Sequence, residues 1–468
     1  MALRQACEAL QRAGVAARVL GPGDVRFESV STDTRTLARG ALYVALRGER
    51  FDGHDFAAAA AQAGAVALLV ERDLGAAAAG LPQLVVEDTR EGFGRLAAAW
   101  RAGRSLTLIA VAGSNGKTTT TQMIASVLAS ALAPQGQGGA PRWFATRGNR
   151  NNDVGVPQML LELRPGHEAA VLEIGMNHPG EIARLAGWVR PTVALITNAQ
   201  REHQEFFDSA RATAQENGQL IAALAPGGTA VFPADDACAD LWRGLAGARR
   251  ALDFALQGPA AVRARATLDA QACTLDLEAP QGAARVRVEL GGEHSARNAL
   301  AAAAACLAAG IGLPAIAAGL AAFRPVAGRG TRRRLAGGAE LIDESYNANP
   351  DSVRAAIDLL ARQPGWRVLV FGDMGEVGAR AAEFHREIGL YARARGIERL
   401  LALGEQARAA ADAFGAGASH FDSVEELCEA ARGIDGGPGT FLVKGSRFMR
   451  MERVVSGLER GAGEGGHA

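Results

Sequence analysis

The stretch "LIAVAGSNGKTTTTQM", residues 108–123, constrains the fold more than any other part of the chain. A short apolar run of β-forming residues leads into Gly113 and Gly116. Lys117-Thr118 follow, and then a segment with helical spacing. Strand, glycine turn, Gly-Lys-Thr and helix is the order of a phosphate-binding loop, a device of α/β proteins. The two glycines let backbone N–H groups turn toward phosphate oxygens at a helix N-terminus. Lys117 would reach the outer phosphates and the Thr118 hydroxyl would face Mg²⁺. Val111 occupies the place of the first glycine in the strict pattern, so a plain glycine-rich turn is the competing reading.

Lysine usage sharpens the case. Of the 50 Lys plus Arg, only Lys117 and Lys444 are lysine. Arginine is a wide planar fork and lysine a compact point charge on a thin stem. A narrow backbone cradle admits the ammonium and excludes the guanidinium. Lys444, before Gly-Ser-Arg in "FLVKGSRFMR", reads as a second anion contact.

A length of 468 residues corresponds to about three domains. The formal net charge is zero, which argues against a nucleic-acid partner. No apolar run is long enough to span a bilayer, and "MALRQACEALQRAG" has the pattern of an amphipathic helix. The five cysteines are scattered and without CxxC spacing, as in a reducing compartment. A cytoplasmic protein without membrane insertion is expected.

The strand and helix rhythm sets three expected units. Residues 1–104 form a small α/β unit with strand-like "VRFESVSTD", "GALYVAL", "AVALLV" and "PQLVVE". Residues 105–327 alternate strands and helices, which argues for a mostly parallel sheet with helices on both faces. Period-two alternation in "ACTLDLEAPQGAARVRVELGG" adds an antiparallel hairpin to it. The Gly/Pro/Arg-rich "FRPVAGRGTRRRLAGG" marks a boundary, after which the βα rhythm resumes through residues 328–468.

In open α/β sheets, chemistry gathers past the C-terminal ends of strands. "AAVLE" ends at Glu173, a carboxylate placed for Mg²⁺, with a solvated strand-end charge as the alternative. "TVALITN" ends at Asn198, and His203 follows in "REHQEFF", where a surface histidine is as good a reading. "RGNRNNDVGVPQML" gathers Asn149, Asn151 and Asn152, which suit a polar substrate or ordinary turn chemistry. "DESYNANPDS" carries Asp343 at a strand end, with Asn347 and Asn349 beyond it.

Together these segments resemble the Mur ligase family over nearly the whole chain. "STDTRTLARGALYVALRGERFDGHDF" resembles the family's UDP-sugar-binding domain. "GSNGKTT", "GNRNNDVGVP", "LEIGMNHPGEI" and "HSARNALAAAAA" resemble its central signatures. "DESYNANPDS", "FGDMGEVG" and "VKGSRFM" resemble its carboxy-terminal ones. The run Tyr346-Asn347-Ala348-Asn349-Pro350 points to the dipeptide-adding branch.

The resemblance implies an ATP- and Mg²⁺-dependent cytoplasmic ligase, expected to be a monomer. A UDP-N-acetylmuramoyl-tripeptide and D-alanyl-D-alanine would be its substrates. A UDP-binding domain, a central ATPase-like domain and a Rossmann-like carboxy-terminal domain are implied with it. Gly113, Ser114, Asn115, Gly116, Lys117, Thr118 and Thr119 would hold phosphates, with Asn298, Arg329 and Asp343 also at the nucleotide. Thr118, Glu173 and His203 map onto the metal positions, and Lys117, Glu173 and His203 onto the catalytic ones. Ser31, Arg35, Asp52 and His54 would serve the UDP-sugar. Asn149, Asn151, Asn152, Asn347, Asn349 and Lys444 would meet the substrates. A folate-type amide ligase, or an ATP-hydrolysing switch that ligates nothing, stands as the alternative.

One departure is visible. Many relatives carry a lysine whose carbamate helps hold a second Mg²⁺, and Asn217 takes its place here. Either the second metal binds more weakly or Glu216 or Glu205 compensates; the expectation is that the Asn217 amide orients metal-bound water.

Overall fold

The computed structural model describes residues 1–133, 139–335, 337–434 and 437–460. The last stretch of the third expected unit, 461–468, lies outside them. Among the described residues there are three sheets, of five, nine and six strands.

The first sheet pairs Ser29–Ser31, Ala41–Val44, Ala67–Val70 and Gln83–Val86 in parallel, in that spatial order. Ala17–Leu20 adds an antiparallel edge on Gln83–Val86. That edge strand is half-buried apart from the exposed Arg18, so it lacks the buried apolar face by which a strand is read.

The nine-stranded sheet carries the phosphate-loop strand β1 (Thr107–Ala112). It lies between β2 (Ala169–Glu173) and β3 (Val193–Ile196), all parallel. Every residue of β2 and β3 is buried, as expected of parallel strands covered on both faces. The expected hairpin is present as Cys273–Ala279 and Gly282–Val288, antiparallel at the far edge. Helix α1 (Lys117–Ala131) follows the loop, and α2 (Ala210–Ala222) follows β3.

The alanine-rich helix Glu293–Ala308 is a packing device. Ala299 to Cys306 are all at most 1% exposed, because a helix apolar all round must be buried. Gly319, on the next helix, permits contact with α1. A Cβ there would lie 2.4 Å from Val127 Cα, and Ser126 donates to the Gly319 carbonyl at 2.6 Å.

The third sheet has β4 (Glu340–Glu344) parallel to β5 (Gly439–Lys444), which is in turn parallel to Trp366–Gly372. Thr331–Arg334 adds an antiparallel edge on β4. This strand comes from the Gly/Pro/Arg-rich boundary segment, and its arginines pair with Glu340 and Glu459. Helix α3 (Pro350–Ala361) begins at Asn349. The Asn349 side chain accepts from Ser352 N–H at 2.9 Å, and Pro350 takes the first helical position. That capping geometry aims the Asn349 amide at the second sheet's phosphate loop.

Candidate functional site

The three strand ends β1, β2 and β3 open into one cleft of ≈ 730 Å³, closed on its other side by residues from the third sheet. The loop between β1 and α1 is pinned from below. Gly113 N–H donates to Asn217 Oδ1 (2.9 Å), Ser114 N–H to the Asn198 carbonyl (3.1 Å) and Asn115 N–H to Asn198 Oδ1 (2.9 Å). Thr197 Oγ1 donates to the Asn115 carbonyl at 2.8 Å. The N-terminal N–H groups of α1 have no carbonyl within the helix to bond and face anions well. Lys117 Nζ donates to the Gly113 and Ser114 carbonyls (2.6 and 3.0 Å) and to Glu202 Oε2 (3.2 Å).

Thr118 and Glu173 are brought together: the hydroxyl donates to Glu173 Oε2 at 2.7 Å, and both side chains are buried. Asn151 Nδ2 donates to the other Glu173 oxygen at 2.7 Å, so the asparagine loop orients the carboxylate. A hydroxyl and a carboxylate beside a phosphate cradle fit Mg²⁺, which takes oxygen ligands and keeps several non-protein ones. His203 lines the same cleft, its ring set against Glu376 and Glu202, which line it too. Its Nδ1 lies 2.7 Å from Glu376 Oε2, off the N–H axis and without a hydrogen bond, and its Nε2 lies 3.9 Å from Glu202. Contact with His203, then the charges of Lys117 and His178, hold the Glu376 carboxyl below its usual range. Among the described residues no three His, Cys, Asp or Glu side chains form a metal cage.

Asn115, Gly116, Thr119, Asn149, Asn152, Asn298, Arg329 and Asn347 also line the cleft. Asn349 exchanges amide hydrogen bonds with Asn115 (2.9 and 3.2 Å). Arg329 stacks on Tyr346, its guanidinium carbon 3.9 Å from the ring centre. Lys444 lines the cleft while almost wholly buried, donating to the Asn347 carbonyl at 2.9 Å. Burial pushes its ammonium below the usual range, against the pull of Glu344.

Several expected residues are not brought to the cleft. Asp343 does not line it; its carboxylate accepts from Ser345 N–H and Oγ and bonds Thr331, so it organises the turn after β4. Ser31, Arg35, Asp52 and His54 lie in the first unit, away from the cleft. Ser31 and Arg35 engage Asp33, whose carboxyl the Arg35 contacts lower to about 2. His54 is buried between Asp52 and the Glu71 N–H. The first unit reaches the asparagine loop through other residues: Arg90 pairs with Asp153 at 2.7 Å, and Gln158 donates to Thr32 at 3.0 Å.

Asn217 is also elsewhere than expected. It is buried beneath the loop, its Oδ1 bonded to Gly113 and its Nδ2 to the Thr213 carbonyl, so its amide is not free to orient water in the cleft. Glu216 instead accepts from Ile182 N–H, and neither it nor Glu205 lines the cleft. Sequence reading missed Glu202, whose only signal was an acid beside His203, and Arg201. The Arg201 guanidinium pairs with Asp351 and Glu387 of the third unit.

Models of Mur ligase domains match three stretches: the family catalytic domain at residues 26–101, the middle domain at 111–306 and the glutamate ligase domain at 328–447. The UDP-N-acetylmuramoyl-tripeptide–D-alanyl-D-alanine ligase of Escherichia coli is 41% identical over 93% of this chain and 94% of its own. The chain belongs to the Mur ligase family. Among solved Mur ligases, MurF from Acinetobacter baumannii superposes with a TM-score of 0.89 at 34% identity, covering 98% of both chains. MurF from Thermotoga maritima, solved in complex with ADP, gives 0.80 at 26% identity over 93% of this chain and 97% of that one.

Set against the family, Asn217 yields a direct prediction. An amide nitrogen does not form a carbamate, so turnover in bicarbonate-depleted buffer should equal that in bicarbonate. A rate gain on adding bicarbonate would contradict it.

Proposed function

We infer that this Mur ligase joins D-alanyl-D-alanine to the terminal carboxylate of UDP-N-acetylmuramoyl-tripeptide, using ATP and an acyl-phosphate intermediate. The observation that carries the reading is the single cleft. It holds the pinned phosphate loop, the Thr118–Glu173 pair and, facing them, Arg329, Asn347 and Lys444.

The chemistry follows from that arrangement. The tripeptide carboxylate attacks the γ-phosphorus and ADP leaves. The dipeptide amine then attacks the acyl carbon, an amide forms, and inorganic phosphate and a proton depart. Phosphoryl transfer of this kind is governed by positioning and charge neutralisation. Lys117 and the N–H groups of the first turn of α1 would supply positive field at the outer phosphates. Thr118 and Glu173 would hold Mg²⁺, which adds charge neutralisation when bound. Asn151 fixes Glu173 for that task. We assign the UDP-sugar to the first unit, with units at 1–104, 105–327 and 328–468. One sheet in each supports that division.

The test is phosphate release. It should require ATP, the UDP-tripeptide and D-alanyl-D-alanine together. Release without the dipeptide would favour a nucleotide-hydrolysing switch.

Arg329 is expected to act in turnover more than in binding. It lines the cleft with the phosphate loop and stacks on Tyr346, with no ion pair among the described residues. Arg329→Ala should lower kcat about 10²-fold, as for loss of one aligned donor, and leave UDP-substrate affinity near wild type. Equal losses in both, by stopped assays and calorimetry, would make Arg329 a support of the fold.

A further inference from the structure

We propose that Glu202 is a positioning residue that serves two cations in turn: the Lys117 ammonium, and the divalent cation that accompanies the nucleotide. The inference rests on the nucleotide reading of the cleft.

An ammonium has three N–H donors. Those of Lys117 go to the Gly113 carbonyl, the Ser114 carbonyl and Glu202 Oε2, at 2.6, 3.0 and 3.2 Å. A phosphate oxygen reaching Lys117 must therefore replace one of them. The two carbonyls belong to the pinned loop, four and three residues before the lysine. The Glu202 contact is the longest and the one not fixed by local backbone, so it is the one that yields.

Glu202 is then in difficulty. It is 6% exposed, and a buried carboxylate stripped of its cation is strongly unfavourable. Its other hydrogen-bond partner is the neutral Asn217 Nδ2 at 3.4 Å. Asn217 cannot turn toward it further, because its Oδ1 holds Gly113 N–H and its Nδ2 also bonds the Thr213 carbonyl. His203 Nε2, at 3.9 Å, is too far for a hydrogen bond. The carboxylate lines the cleft, so a divalent cation arriving with the phosphates is the group that can replace the ammonium. A carboxylate oxygen is a proper ligand for a hard cation.

The prediction is a pair of opposite shifts. In Glu202→Gln, Lys117 is no longer paired to an anion, so ADP without metal should bind several-fold tighter by calorimetry. The same variant should bind Mn²⁺ in the presence of ADP about tenfold more weakly by electron paramagnetic resonance. A residue that merely supports the fold would move both affinities together or neither, and either result would overturn the proposal. If Glu202→Gln does not fold, Glu202→Asp serves. Its carboxylate is drawn back by one methylene and should give the same opposite shifts at smaller size. Wild-type protein that binds no ADP would instead refute the nucleotide reading itself.

Discussion

Lys117→Arg is expected to lose about 10³-fold in turnover although the charge is kept, the scale of removing one aligned electrostatic contact. The lysine ammonium fits between two carbonyls of its own loop, at 2.6 and 3.0 Å. A guanidinium is planar and wider, and its donors diverge. The loop cannot widen to admit it. Gly113, Ser114 and Asn115 are each tied by backbone N–H to Asn217 or Asn198, and the Asn115 carbonyl is tied to Thr197. The arginine head would be forced into the cleft, where the outer phosphates belong. Phosphate release in the full three-substrate assay measures the loss, with an unchanged melting temperature as control. Near-normal turnover would sink the point-charge argument.

Gly113→Ala should be more damaging to the fold and equally damaging to nucleotide binding. Gly113 has φ of +125°, a region that side chains other than hydrogen rarely enter. A Cβ there would lie 2.2 Å from Thr197 Oγ1 and 2.8 Å from Thr197 N. The hydroxyl can rotate away; the Thr197 backbone, just past β3, cannot. Strain and overpacking together cost about 3 kcal/mol or more, seen as a lower melting temperature. Because Gly113 also carries the N–H bonded to Asn217, relaxation would move the loop itself. ADP affinity should fall below detection in calorimetry. A variant that melts and binds ADP like wild type would show that the loop is looser than its hydrogen bonds imply.

What could be read from the chain followed local rules. Glycine–lysine–threonine between a strand and a helix is a contiguous signal, and Glu173 and Lys444 end their strands in the structure as their apolar runs require. Asp343 obeyed the same rule by position, yet the turn with Ser345 claimed its carboxylate. The strand-end rule places a residue but does not say which way its side chain goes. Asn217 failed for a related reason. Helical spacing fixed its place on α2, while only the tertiary approach of Gly113 decided that its oxygen would be consumed. Glu202 and Arg201 were illegible because their ion-pair partners Lys117, Asp351 and Glu387 lie 85 to 186 residues away. A charged run such as "REHQEFF" reads as a solvated surface until those partners are in view. The strands Ala17–Leu20 and Thr331–Arg334 sit at sheet edges and are largely polar or half-exposed, so periodicity had little to register.

The segment after β3 holds two bodies at once. Asn198 and Gln200 bond the phosphate loop. Immediately beyond, Arg201 pairs with Asp351 and Glu387, and Glu205 N–H donates to the Glu376 carbonyl at 3.2 Å. Eight residues, 198–205, thus touch both the phosphate loop and the third unit. If ATP strengthens attachment of the third unit by some factor, an acceptor bound to that unit must strengthen ATP by the same factor, since coupling free energy has no direction. Order of addition can then be kinetically strict while the underlying affinities stay reciprocal. Severing the Arg201 pairs should uncouple the two affinities without abolishing either one.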